Sequence, residues 1–356
     1  MNEINNRKEE ENKKLKTEID NLSKDQENKN PNNIKLLSNI INDSYAHWNT
    51  NNSFTVFKSI TDILYLIYAN QEQSIICFDL NEQKKTNEIK NPHDEYISNF
   101  RHCLDKINKR DLIMSISAIN SSIKIWNANN WEYILDLPNI YDEEQMILSA
   151  CFLNINNEIM IITSNQNYGG GDPIWAFDLK GQKIKEFKNN PDETTYFIDT
   201  YYDNNLSNYY IVTADQVFSR SYNYLENKLY KKYREKKNYY ENIHLIIINK
   251  DEIIKLIVSC SDGIIRIFNF HSATLLNKFK ISDKALCEIC LWDDNYLFVG
   301  CNDKIIKLVD LNNGNINQSL TGHDKPVITI KKIYHPKYGI CLFSQGWHEF
   351  NLNIWI

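Results

Sequence analysis

The chain has 356 residues, 42% of them apolar and 24% charged, with a formal net charge of -6. These values fit a globular protein with enough apolar side chains for a real core and exclude wholesale disorder. The acidic balance makes nucleic acid an unlikely partner, because phosphate binding needs a concentrated positive surface.

Eight cysteines are scattered along the chain. Several, such as Cys77, Cys260 and Cys301, lie inside apolar runs, and they read as buried free thiols of a reducing, cytoplasmic compartment. The polar opening, residues 1–6, does not read as a secretory leader. No apolar stretch approaches the roughly 20 residues that a helix needs to cross a bilayer, so no membrane span is expected.

Residues 1–33 stand apart. Charges alternate along them (Glu9, Glu10 and Glu11, then Lys13, Lys14, Lys16, Glu18 and Asp20), and Pro31 closes the segment. Leu15, Ile19 and Leu22 share one helical face, but a coiled coil wants roughly 3–4 heptads of such residues. The segment reads as a charged tail, partly helical or disordered, with a dimerising or partner-binding coiled-coil helix as the alternative.

From residue 34 the pattern changes to short runs in which β-branched and aromatic residues alternate with polar ones. One unit recurs: an apolar-x-apolar-aromatic run, a small polar residue, then a turn. Copies occupy 75–79, 123–127, 175–178, 220–223, 265–269, 307–310 and 352–356. Their anchor positions, Phe78, Trp126, Phe177, Tyr222, Phe268, Val309 and Trp355, recur every 41 to 51 residues. That spacing is close to the period of about 40–45 for four-stranded propeller blades.

Taking these runs as strand c, the segments at 111–117, 159–164, 209–214, 254–259 and 296–300 supply strand b. Strand a falls at 146–153, 243–249, 286–292 and 327–333, and the outer strand d at 131–137, 184–187 and 275–279. A four-stranded blade has two apolar faces and cannot bury both alone, so blades stack around an axis. The expected fold is all-β: a seven-bladed β-propeller of four-stranded antiparallel blades over residues 34–356. Because the last strand c runs to the end of the chain, its blade needs an outer strand from elsewhere. The segment 41–57, with Tyr45, Trp48, Phe54 and Phe57, is expected to supply it and close the ring.

These residues resemble the WD40-repeat family, over about nine-tenths of the chain as a periodic pattern and with degenerate motifs. Thr321-Gly322-His323-Asp324 leading to Ser344 and Trp355 is similar to the family's Gly-His start and Trp-Asp end, with Ile356 in place of Asp. The fifth copy carries the family's Asp-Gly turn as Asp262-Gly263. The resemblance implies a hydrogen-bonded network of His323, Ser344 and Trp355 inside the last blade, with Glu349 as the candidate fourth member. It leaves the other blades to apolar packing.

Chemical motifs are sparse. Cys287 and Cys290 form a lone Cys-x-x-Cys in a strand, where the thiols point to opposite faces. They have no second pair to complete a zinc site. Gly169-Gly170-Gly171-Asp172 lacks the following helix and lysine of a phosphate loop. His102, His244, His271 and His335 stand alone, and no nucleophile motif accompanies them. No catalytic residue, cofactor or metal ligand is assigned. Lys231, Lys232, Lys236 and Lys237, interleaved with tyrosines, are the best basic run for nucleic-acid or membrane contact.

In a propeller the b–c and d–a turns share one end of the ring, the end that WD40-like proteins are known to use for partners. Here those turns carry Asp142, Glu143, Glu144, Asp172, Asp192, Glu193, Asp215, Asp262 and Asp303, with Tyr141, Tyr168 and Trp347 among them as aromatic anchors. The expected function is a non-catalytic protein-interaction scaffold or adaptor, with a basic segment docking on this acidic rim. The plainer reading of the acids is that they keep the protein soluble. The alternative function is a propeller-type hydrolase or other enzyme with a carboxylate or metal site in the central channel. WD40-like receptors of ubiquitin ligases often show Arg two residues after the Trp-Asp-type pair, whereas here Phe78-Asp79 is followed by Leu80-Asn81 and Phe177-Asp178 by Leu179-Lys180.

Overall fold

The computed structural model describes residues 31–41, 43–46, 52–117, 122–137, 146–166, 173–188, 194–235, 240–250 and 252–356. They form seven four-stranded antiparallel sheets. In each of the first six, strands a to d follow in chain order from the axis outward. Strand c of the successive blades is Ile75–Asp79, Ser122–Asn127, Ile174–Asp178, Ser219–Asn223, Ile264–Asn269, Ile306–Asp310 and Leu352–Trp355. Each predicted anchor residue lies in its strand c. All except Phe78 are buried. Among the described residues the only helix is a 3-10 turn at Pro31–Asn33. The coiled-coil alternative concerns residues outside those described.

The ring closes as a woven blade, but with a different strand from the one expected. Leu36–Ile41 pairs antiparallel with the C-terminal Leu352–Trp355 as the outer strand of blade 7. Only Ile41 of the 41–57 segment belongs to it. Phe54–Lys58 is instead the innermost strand of blade 1, paired with Leu64–Ala69. Ile41 and Phe54–Lys58 thus belong to two different blades. Backbone bonds between Lys35 and Ile356, at 2.8 and 2.9 Å, extend this pairing.

The small polar residue after the anchor has a local job in five of the blades. Asp79, Asn127, Asp178, Asn269 and Asp310 each accept backbone N–H groups of the following turn on Oδ1, as in Asn81 N–H to Asp79 at 2.7 Å. Asx side chains mimic a backbone turn in this way. The c–d hairpins also place a residue at positive φ, and only Gly181 and Gly314 among those positions are glycine; Gln83, Trp131, Asn227 and Ala273 take the others. Gly263 is different, because a Cβ there would stand 1.9 Å from the Ser282 carbonyl oxygen.

Apolar clusters fill the spaces between blades, for example Leu112, Ile125, Ile147 and Ile161 between blades 2 and 3, and Phe197, Tyr210, Leu256 and Phe268 between blades 4 and 5. The inner strands leave a backbone edge facing the channel, and such edges need partners. Side chains of neighbouring blades supply them. Asn99 Nδ2 donates to Leu148 O at 3.1 Å and Arg101 Nε to Ala150 O at 3.0 Å. Ser149 Oγ accepts Ile198 N–H at 3.3 Å, Glu288 Oε2 accepts Ile330 N–H at 3.4 Å, and Thr329 Oγ1 accepts Ser53 N–H at 3.1 Å.

Candidate protein-interaction surface

Two blades carry a His–Ser–Trp network. In blade 7, Trp355 Nε1 donates to Ser344 Oγ at 2.7 Å, and Ser344 Oγ lies 2.7 Å from His323 Nε2. His323 Nδ1 faces Glu349 Oε2 at 2.5 Å. A carboxylate only accepts, so His323 carries its proton on Nδ1, and in the neutral ring Nε2 takes the Ser344 hydroxyl hydrogen. Glu349 is thus the fourth member. Its carboxylate also accepts the N–H groups of Asp324, Lys325 and Gly346. Burial alone would raise its pKa, but the bonds from His323 and the two backbone amides outweigh that and hold it below the usual range.

Blade 2 repeats the arrangement, which the sequence reading missed. His93 Nε2 lies 2.8 Å from Ser115 Oγ, and Trp126 Nε1 donates to the same oxygen at 2.9 Å. Pro92 replaces the glycine before the histidine, hiding the motif. The spacing was the available signal: His to Ser is 22 residues here and 21 in blade 7, and Ser to Trp is 11 in both.

Blades 4, 5 and 6 use a different device, so apolar packing alone does not hold the remaining blades. In each, an acid at the end of strand b or in the b–c turn pairs with a cation two residues before the strand c anchor. Asp215 meets Arg220 at 2.5 Å with both side chains buried, and Thr195 and Thr213 donate to the same carboxylate. Asp262 takes Arg266 in a bidentate fork at 2.9 and 2.7 Å, while Tyr240 covers the guanidinium at 3.5 Å. Asp303 pairs with Lys307 at 2.7 Å and accepts the Ser282 hydroxyl.

This corrects part of the acidic-rim expectation. Asp215 is fully buried and cannot meet a partner. Asp262 and Asp303 are half-buried and their charges are neutralised within their own blades. Tyr141, Asp142, Glu143, Glu144, Tyr168, Asp172, Asp192 and Glu193 lie outside the described residues, as do the glycines at 169–171 and Lys236 and Lys237.

Trp347, by contrast, is exposed, and it has company. On the b–c and d–a end, the turn of blade 7 presents Trp347, His348 and Phe350, and the loops before blades 1 and 2 add Tyr45 and Tyr96. Tyr45 stacks on Tyr96 with centroids 5.8 Å apart, and meets His348 at 5.6 Å and Phe350 at 6.0 Å. Tyr96, Trp347 and Phe350 are 40%, 38% and 45% exposed, a cluster of large apolar side chains left to water.

The platform is preorganised by the network beneath it. Glu349 ties the turn to Gly346 and His323, Ser44 Oγ donates to Phe350 O at 3.2 Å, and Trp347 and His348 N–H groups bond Pro326 O and Ala46 O. In the turns next to these residues in sequence, Asp43, Glu72, Asp94 and Asp324 are exposed, as are Lys90 and Lys325, and Lys85 lies near Asp43 and Glu72.

Four further sequence candidates lie within the blades. Cys287 and Cys290 are free thiols, each pushed upward first by burial, Cys290 to about 11. His102 pairs with buried Asp111 at 2.8 Å, and His271 with buried Asp203 at 3.2 Å. In the channel, Glu288 is bonded by Lys331. Among the described residues, no three His, Cys, Asp or Glu side chains converge as metal ligands, and no helix is long and apolar enough to cross a membrane.

Fold and surface together define a seven-bladed β-propeller with a preorganised aromatic platform on one end of the ring. No family model matches the chain, and no curated protein matches it.

Proposed function

We propose that the protein is a non-catalytic interaction scaffold, a divergent propeller of the WD40 kind, whose platform of Tyr45, Tyr96, Trp347, His348 and Phe350 docks a basic segment of another protein. The exposure of Trp347 and Phe350 beside Tyr45 and Tyr96 carries this reading. Rigid aromatic side chains dominate interface energies, and folding alone gives no reason to leave them in water. The surrounding acids select and steer a cationic partner. Two His–Ser–Trp networks with matched spacing support the WD40 kinship.

The test is affinity capture with quantitative mass spectrometry, using the full chain and its Trp347→Ala/Phe350→Ala variant, followed by calorimetry of captured partners. Specific partners should bind at least about tenfold more weakly to the variant, with binding weakened by salt and the unfolding midpoint nearly unchanged. An identical partner set at unchanged affinity would remove the platform from the account.

A further inference from the structure

The inner edge of blade 5 lacks the polar caps of its neighbours. Its strand, Asn242–Lys250, sets Leu245 opposite Val258, the register that sets Ile198 opposite Thr213 in blade 4 and Ala150 opposite Thr163 in blade 3. Ile198 and Ala150 turn a backbone group to the channel and have it capped by Ser149 and Arg101. By the same register Leu245 and Ile247 present N–H and C=O groups to the channel. Their cap would come from blade 4, where the position of Asn99 and Ser149 is held by Phe197, each being the first residue after the strand bulge. A phenyl ring neither donates nor accepts. Two residues on, where blade 2 has Arg101, blade 4 has Asp199, which has no hydrogen to give a carbonyl.

A cavity of about 310 Å³ lies against this bare edge, lined by Val212, residues 245–248 and Leu291 together with Asp199, Thr200 and Tyr201. Asp199 is half-buried, accepts only its neighbour Thr200 N–H at 2.8 Å, and forms no ion pair among the described residues. Arg101 approaches the same strand, but its Nε and Nη2 are occupied by Ala150 O, Ser149 Oγ and Ile198 O. The cavity therefore combines an aliphatic wall, a carboxylate that forms no ion pair among the described residues, and a β-edge without the polar cap of its neighbours.

We infer that this cavity binds a primary ammonium group on an aliphatic body that also carries an amide. The ammonium pairs with Asp199, the amide completes the edge of Leu245 and Ile247, and the hydrocarbon fills the space beside Val212 and Leu291. A volume near 300 Å³ is the small end of ligand sites and suits a single amino-acid amide or the first residue of a peptide. The proposal is independent of the aromatic platform.

Leucinamide is the probe, titrated into the full chain by calorimetry beside N-acetylleucinamide, which lacks the charge, and leucine, which replaces the amide with a carboxylate. A leucine-initiated tripeptide amide distinguishes a peptide terminus from a free amine. Leucinamide should bind saturably and at least about tenfold more tightly than the other two single-residue probes, the scale of one charge-assisted hydrogen bond. Asp199→Asn, which keeps the acceptor for Thr200 N–H, and Ile247→Trp, which fills the space, should each weaken it by a similar factor. Circular dichroism and melting temperature establish that both variants fold. Absence of leucinamide binding, equal binding of the acetylated probe, or full binding by folded Asp199→Asn would overturn the proposal.

Discussion

Blades 2 and 7 and blades 4 to 6 solve the same problem with different chemistry. Each must tie a d–a loop to strands b and c at one corner of the ring. Blades 2 and 7 do it with hydrogen bonds that join histidine and tryptophan to one serine, Ser115 or Ser344. Blades 4 to 6 do it with an ion pair between the b–c corner and strand c, which Thr195, Tyr240 or Ser282 joins from the incoming chain. The difference teaches that the corner, not a particular residue, is what the fold requires. It also separates their vulnerabilities: losing a hydroxyl costs an unpaired donor, whereas losing a buried acid strands a full charge.

The largest expected effect breaks the comparison at blade 4. Asp215→Ala takes the buried Asp215 carboxylate away from Arg220, which costs about 3–5 kcal/mol, while Asp215→Leu/Arg220→Met removes both charges and recovers most of that loss. Urea unfolding of the three proteins measures it. A single variant as stable as the wild type would mean that the pair contributes nothing at this corner.

At the serine corners the loss is smaller. Ser344→Ala strips Trp355 Nε1 of its acceptor and leaves His323 Nε2 only Asn353 Nδ2 at 3.4 Å, at about 1–3 kcal/mol. Ser115→Ala strips Trp126 Nε1 and His93 Nε2 in the same way, while His93 Nδ1 keeps Ser122 Oγ at 3.3 Å as His323 Nδ1 keeps Glu349. Blade 7 also holds the two chain ends, so Ser344→Ala should lower the urea midpoint more than Ser115→Ala.

The smallest effect is a pH dependence at the blade 2 corner. Burial, with Lys124 adding to it, pushes the His93 pKa down to about 3. The unfolded chain takes up a proton near its ordinary value of about 6.5, and the folded chain does not. The stability tied to His93 is therefore complete above about pH 6.5 and is lost as pH falls toward 3. In thermal melts, His93→Gln should lose about 1 kcal/mol less than the wild type between pH 7 and pH 5.5.

Strand identity was legible because alternation and turn residues are local: the side chain after each anchor bonds its own turn, as Asp79 and Asn269 show. Even blade 2 could have been matched through the interval from His93 to Ser115 to Trp126. The rim was less legible, since Asp215, Asp262 and Asp303 read as free turn acids until the cation two residues before each anchor is considered. Arg220, Arg266 and Lys307 occupy that position in plain view.

By itself the sequence determined the all-β class, the count of units, the need for them to stack in a ring, and the need for a strand from the N-terminal side to complete the last blade. These follow from period, two-faced apolar strands and the end of the last repeat. Only the tertiary structure decided that Leu36–Ile41 is that strand, that three rim acids are spoken for, and that Tyr45, Tyr96, Trp347 and Phe350 stand together. The reason is distance along the chain: register across a closed ring, charge compensation across a turn and a surface assembled from three loops all depend on neighbours that no local pattern records.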